Sequence, residues 1–485
     1  MNNPPLKVLF VTSEVFPLIK TGGLADVSAG LPLALKELGH DVRIIIPAYK
    51  TALENAGTTK IKLNTINGLP IKLLEGSLPN SDVPVWFVDA PELYFRNGGP
   101  YGDINGNDWP DNAERFHTFN KVAHQLAIDA VGLNWRPDVV HCNDWQSGLV
   151  PAFLANEKSR PATIFTIHNL AYAGLFSYQT FKDLSLHAEW WSFDKLEFHN
   201  QFSFLKGGIV FSDFVNTVSP TYAKQILTPE FGYGMEGLLA HRGARLSGIL
   251  NGIDEKIWNP ETDKLIPKNY NFASIKDKSF NKKALLHHFK LSDEEKPLIG
   301  IIGRMVEQKG FDLIQEILPA LVQQNVNIVM LGSGDKHLEA SLINNMYRFP
   351  NHISIEFGYN EALAHLIEAG ADMFLMPSRF EPCGLNQFYS LKYGTVPIVN
   401  NTGGLADSVV DTTVETLTDQ TATGFKLYAA TSKALYDTTL RALKNFRSKE
   451  NWLTIMRNGM EQDFSWTNSA QKYLALYHES MKSQG

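Results

Sequence analysis

At 485 residues the chain is too long for a single hydrophobic core and suits two domains. Hydrophobic residues make up 44% and charged residues 20%, an ordinary globular composition. A net charge of −7 argues against polyanion binding, because nucleic-acid modules carry a basic surplus or stripe, and none is visible.

No stretch reaches the apolar length that spans a membrane. Cys142 and Cys383 lie far apart and form no metal-like pair, which predicts neither a disulfide framework nor a metal site. The first strand-like run is too short, and too soon followed by Glu14, for a signal peptide. A cytoplasmic protein is expected.

In chain order, residues 7–12 (KVLFVT) are a β-branched run suited to a buried parallel strand. The loop SEVFPLIKTGG follows. Leu24, Val27, Leu31, Leu35 and Leu38 then recur at helical steps up to Gly39, despite Pro32. Residues 42–46 form the next strand. This βαβ unit puts Lys20, Gly22 and Gly23 at a ligand-binding edge. There glycine permits φ > 0 and close backbone approach, and lysine supplies a charge suited to phosphate. A turn with a solvated lysine has the same sequence.

Residues 51–115 carry less pattern. A strand is expected at 83–88, and 96–112 is a Gly/Asn/Asp/Pro-rich loop whose Tyr101 and Trp109 suit either sugar rings or surface packing. A helix at 113–131 precedes two strands. One ends in Asn143-Asp144-Trp145 and the other, 163–167, in His168-Asn169, so two polar strand exits point at one crevice. Residues 211–217 read as a strand, a glycine-rich GYGMEGLL begins at Gly232, and 246–254 closes the first domain. Residues 258–297 are polar and lysine-rich, expected as a connector with surface helices. The α/β rhythm restarts with strands at 298–303, 327–331, 353–357 and 372–376. Residues 432–481 are helical in pattern, and aromatics from Phe464 onward are expected to pack back on the first domain. The expected divisions are 1–258, 259–297, 298–462 and 463–485.

The densest chemistry lies at 377–407. The apolar run 371–377 ends at a Pro/Ser punctuator, so Glu381, Cys383 and Gly384 fall at a strand's carboxyl end, before a helix beginning at Leu385 whose first turn offers free N–H groups. The six residues TGGLAD occur twice, at 21–26 and 402–407. Between Gly303 and Gly310, Arg304 and Lys309 form a cationic pair of the kind that holds a diphosphate and offsets its charge as it leaves.

Seven segments in order, SEVFPLIKTGGLADV, CNDWQSGL, IHNLAYAG, ILNGIDEKIWNP, GRMVEQKG, PSRFEPCGLNQFYSLKYG and TGGLADSV, make the chain resemble the bacterial and plastid glycogen/starch synthases. The resemblance implies an α/β protein of two facing Rossmann-like, doubly wound domains around a deep cleft, the GT-B architecture. It implies transfer of glucose from ADP-glucose, or less favourably UDP-glucose, to the nonreducing end of an α-1,4-glucan with retention. By motif, Lys20, Thr21, Gly22 and Gly23 meet the donor phosphate, and Arg304 and Lys309, after Gly303, stabilise the leaving diphosphate. Glu381 faces the donor sugar, and Cys383, Gly384, Leu385 and Asn386 hold phosphate and sugar through their amides. Asp144, His168 and Asn251 lie beside sugar and acceptor, Asp26 orients the KTGG loop or the acceptor, and Tyr359 stacks on the base. No metal or other cofactor is implied. Two departures stand out: Tyr389 where many relatives of this architecture carry a second glutamate, and Asn386 where threonine is common. A glucan phosphorylase, a UDP-sugar enzyme of the same architecture and a non-catalytic glucan-binding protein are the alternatives.

Overall fold

The computed structural model describes residues 4–56, 60–65 (backbone), 71–292 and 295–483; the rest of the expected domain ranges lies outside them. The chain forms two units, Met1–Gly252 with Trp466–Gly485, and Ile253–Ser465.

Unit 1 is built on β1 (Lys7–Val11), β2 (Asp41–Pro47), β3 (Lys60–Thr65), β4 (Lys72–Ser77), β5 (Pro84–Asp89), β6 (Val139–Asn143) and β7 (Ala162–Ile167). After a small antiparallel sheet of β8 (Leu175–Ser177), β9 (Glu197–Phe198) and β10 (Gln201–Ser203) come β11 (Phe214–Thr217) and β12 (Leu246–Gly248). The large sheet runs β12-β11-β7-β6-β1-β2-β5-β4-β3. It is parallel except where β4 pairs antiparallel with β3 and β5. The β3–β4 hairpin falls in the stretch with least sequence pattern. Sequence reading expected a strand from 211, but 204–211 is helical and β11 starts at Phe214.

β1 lies between β2 and β6, so the winding reverses there. Ligands collect beyond the carboxyl ends of strands at such a reversal. The helices used below are α1 (Gly23–Glu37), α2 (Asn112–Ala127) and α3 (Val150–Ala155) in unit 1. In unit 2 they are α4 (Lys278–His288), α5 (Phe311–Val322), α6 (Glu361–Gly370), α7 (Asn386–Lys392) and α8 (Gly403–Ser408). The last, α9 (Trp466–Lys482), returns to unit 1. Its Trp466, Ala470, Tyr473 and Tyr477 join the unit 1 core. A Cβ on Gly30 of α1 would lie 1.9 Å from Trp466 Nε1, so glycine at that position lets the indole in. Tyr477 bonds His141 at 2.8 Å, and Tyr473 accepts from Asn216 at 3.0 Å.

Unit 2 is a six-stranded parallel sheet, β15 (Ile353–Phe357), β14 (Asn327–Gly332), β13 (Leu298–Ile302), β16 (Met373–Met376), β17 (Val396–Asn400) and β18 (Phe425–Leu427), in that order. Alternate residues enter separate cores: Ile299, Met330 and Met373 on one face, Leu298, Val329 and Phe374 on the other. That alternation is the mark of a sheet covered by helices on both sides. Winding reverses between β13 and β16. Residues 259–297, read from sequence as a connector, lie within unit 2. Leu285 and Leu286 of α4 are in the same core as Leu363 and Ile367 of α6, and the lysines that suggested a solvated face include buried Lys278. Among the described residues no helix is long and apolar enough to cross a membrane.

Candidate active site

In unit 1 the strand exits place the chemistry. Thr12 to Glu14 leave β1, Asp144 leaves β6 and His168 leaves β7. Glu14 is buried, and its carboxylate accepts from the backbone N–H of Thr21 at 2.5 Å and of Gly22 at 3.1 Å, and from the Tyr101 hydroxyl at 2.5 Å. Burial pushes its pKa up, and these three donors oppose the rise. Thus Glu14 engages two backbone N–H groups, those of Thr21 and Gly22, in the turn expected to meet the donor phosphate. Lys20 pairs with Asp26 at 2.8 Å. Tyr101, a loop aromatic read as a possible sugar platform, acts through its hydroxyl, which also meets Ser13 at 2.7 Å.

Asp144, at φ +54°, accepts from His168 N–H at 2.7 Å, and loss of solvent pushes its carboxyl up to about 7. His168 is buried, which pulls its imidazole down to about 3 and leaves it neutral near pH 7. Its Nε2 meets Asn143 Oδ1 at 2.9 Å. Because the Asn143 amide nitrogen donates to Val11 O, its oxygen is the acceptor, so His168 carries its proton on Nε2 and offers Nδ1 as a lone pair. Asn251 is buried with an unpartnered Oδ1.

In unit 2, Gly303 and Arg304 leave β13, and Ser378 to Glu381 follow β16. Gly310, at φ +76°, lets Pro377 O come within 2.5 Å of where a Cβ would sit. The two loops are then tied together. Arg379 grips Asp312 of α5 at 2.7 and 2.5 Å, its N–H donates to Gln308 O, and Gln308 Nε2 donates to Phe380 O. This lacing brings Lys309 Nζ within 2.5 Å of the buried Glu381 carboxylate, which also accepts from Ser378 Oγ at 3.0 Å. The Arg304 side chain is exposed and makes no hydrogen bond or ion pair among the described residues. Asn386 is fixed by donation to Ile302 O at 3.0 Å, and Gln387 clamps the loop through Cys383 O and Gly384 O. Cys383 is buried, and Gly384 and Leu385 are half-buried beside it. Tyr359 stands exposed after β15, its hydroxyl directed at Glu361.

Tyr389 is in the core. It stacks on Trp258 at 3.8 Å, whose other face stacks on His365 at 3.7 Å. His365 is held by Asp263 at 2.7 Å and is pushed up to about 9 by that carboxylate and Glu361, against the lowering effect of burial. The residue at 389 therefore supports α7 from beneath.

The two TGGLAD turns obey different constraints. At Gly22 and Gly23 an added Cβ would meet nothing within 4 Å, and Gly22 has φ −150°, so the expected need for positive φ is not the reason for glycine there. Gly403 has φ +44°, and its Cβ would fall 1.9 Å from Glu381 O; that of Gly404 would fall 2.2 Å from Cys383 O. We expect Gly404→Ala to lose about 2 kcal/mol of stability or more, from overpacking against backbone. Gly22→Ala should leave the melting temperature unchanged while raising the donor KM about tenfold or more by displacing the ligand. Thermal melts and donor titrations check both; a destabilised Gly22→Ala would defeat the contrast.

Sequence reasoning missed Glu14, Ser378 and the Arg379–Asp312 pair. Glu14 had a signal, a carboxylate two residues beyond an apolar strand and just before a glycine turn. The Arg379–Asp312 pair had none, since its partners are 67 residues apart.

Two α/β units, each with polar strand exits at the reversal of its sheet, present the edges at which such sheets bind ligands. Residues 7–241 match the family described as starch synthase catalytic domain, and 283–453 match glycosyl transferases group 1. The chain is 52% identical to glycogen synthase 1 of Methylococcus capsulatus, over 98% of this chain and 97% of that one. It is 51% identical to a glycogen synthase of Thioalkalivibrio sulfidiphilus, over 98% and 99%. The catalytic domain of Arabidopsis thaliana starch synthase IV, solved bound to ADP and acarbose, aligns with a TM-score of 0.87 at 32% identity, covering 99% of this chain and 100% of that one. The chain belongs to the glycogen and starch synthase family of glycosyltransferases.

Proposed function

We propose that this protein transfers glucose from ADP-glucose to the nonreducing end of an α-1,4-glucan with retention of configuration. The observation that carries the reading is the Lys309–Glu381 pair at the β16 exit, in the same unit as an exposed, unpaired Arg304 at the β13 exit. A carboxylate held beside a lysine suits a sugar whose anomeric carbon gains positive charge while a diphosphate leaves. Arg304 and Lys309 take the diphosphate, Glu381 holds donor-sugar hydroxyls, and the first turn of α7 with Cys383 and Gly384 lines the phosphate. The exposed ring of Tyr359 receives the base. Lys20 and the open Gly22–Gly23 backbone approach the donor, with Glu14 holding that turn and Asp26 holding Lys20. His168, neutral, accepts a sugar hydroxyl through Nδ1, and Asp144 fixes the β7 exit beneath it. Asn251 supplies a further acceptor. A cytoplasmic location accords with Cys142 and Cys383 being buried as thiols.

Turnover of ADP-glucose against UDP-glucose with glycogen present tests the donor. A preference for ADP-glucose is expected, and equal or greater UDP-glucose turnover would overturn that choice. Because Arg304 and Lys309 supply the positive charge for the diphosphate in this reading, we expect the rate in excess EDTA to stay nearly unchanged. Abolition by EDTA and recovery with Mg²⁺ would defeat the metal-free reading.

A further inference from the structure

Unit 1 contains a cavity of about 270 Å³ whose lining residues include none at the strand exits. On α2, His117, Lys121, His124 and Gln125 follow one another at helical steps and share a face. Phe153 of α3 and the turn from Ser185 to His187 complete the walls. His124 is engaged with Glu157 at 3.0 Å, but His117 is 6% exposed and makes no hydrogen bond, with Nε2 fully buried. A buried polar atom left without a partner is costly, and natural proteins rarely leave one without a use. Lys121, one turn further on, has no ion pair among the described residues. No carboxylate lines the cavity: its polar edge carries the Lys121 ammonium with the Gln125 amide, the Ser185 hydroxyl and imidazoles, which can donate as well as accept, while Phe153 and Leu186 give it an apolar side.

We propose that this cavity binds a small phosphate-bearing anion, either inorganic phosphate or a phosphate monoester of hexose size. Lys121 supplies the charge, His117 one N–H, and Ser185 and His187 further donors at the mouth, a set matched to an oxyanion rich in acceptors. The apolar side fits the carbon face of an ester. Burial and the nearby Lys121 hold the His117 imidazole neutral, so it contributes as a hydrogen-bond donor and not as a cation.

Calorimetric titration of the full chain with inorganic phosphate, a hexose monophosphate and neutral glucose tests this, in wild type and in Lys121→Ala and Lys121→Glu. Lys121 is half-buried on the helix surface, and equal melting temperatures confirm that the variants fold. We expect binding of at least one phosphate compound to weaken about tenfold in Lys121→Ala, the loss of one charge-assisted contact, and to vanish in Lys121→Glu. Phosphate alone being sufficient identifies the free anion; binding of only the hexose phosphate identifies the ester. Affinity unchanged in both variants, no binding by either phosphate compound, or equal binding of neutral glucose would each overturn the proposal.

Discussion

Replacing Glu381 by glutamine is expected to lower kcat by at least about two powers of ten with a smaller change in donor affinity, the pattern of an interaction made mainly in the transition state. The carboxylate is buried against Lys309 and Ser378, so its charge is held in place before the substrate arrives. Glutamine keeps the size and some hydrogen bonding but removes that charge. A retaining glycosidase would flank the bond with two carboxylates, one of them the nucleophile. Unit 2 presents one carboxylate, Glu381, already engaged with lysine. That favours front-face attack: the acceptor O4 forms its bond to the anomeric carbon as the bond to the diphosphate breaks, and the departing phosphate takes the proton. A glucosyl ester trapped on Glu381, detected by mass spectrometry after mixing donor with a slow acceptor, would refute that path.

Arg304→Ala and Lys309→Ala should each lower turnover by roughly two to three powers of ten, the usual cost of removing a donor aimed at developing charge. Their effects on stability should differ. Arg304 is exposed and unpaired, so its removal should leave stability within about 0.5 kcal/mol of wild type. Lys309 neutralises a buried carboxylate, and losing one partner of such a pair costs about 3–5 kcal/mol when burial is complete, less here because the lysine is half-exposed. Steady-state rates at saturating donor, beside thermal melts, separate the two. Activity within a factor of a few of wild type in a folded Arg304→Ala would remove that residue from the mechanism.

Much of this was legible because parallel strands buried on both faces leave continuous apolar runs, and the residues at their ends are where ligands bind. The β6, β7, β13 and β16 exits, with Asp144, His168, Arg304 and Glu381, all follow from that rule; Glu14 at the β1 exit obeys it too but was passed over. What escaped depended on distance along the chain. The β3–β4 hairpin lacks a strong alternation, and residues 259–297 look solvated until α4 meets α6 and the Lys278 ammonium finds Ala369 O at 2.9 Å and Thr395 Oγ1 at 2.7 Å. Tyr389 looked like a missing ligand for want of Trp258 and His365, whose stacking no local pattern reveals. Glycine itself was ambiguous: TGGLAD reads the same in both copies, yet one copy leaves room and the other has none.

The return of α9 to unit 1 bears on how the chain is made. Unit 2 is one uninterrupted stretch, Ile253–Ser465, and all of it is translated before the residues that complete unit 1. Until Trp466 to Tyr477 leave the ribosome, the groove at Gly30 stays unfilled, and His141 and Asn216 lack the tyrosine hydroxyls that satisfy them. Domains generally fold as they emerge, amino-terminal first. Here the order is inverted: the half begun first is finished last, and a nascent chain stalled before 466 should carry a protease-resistant unit 2 behind a unit 1 that is still open to cleavage.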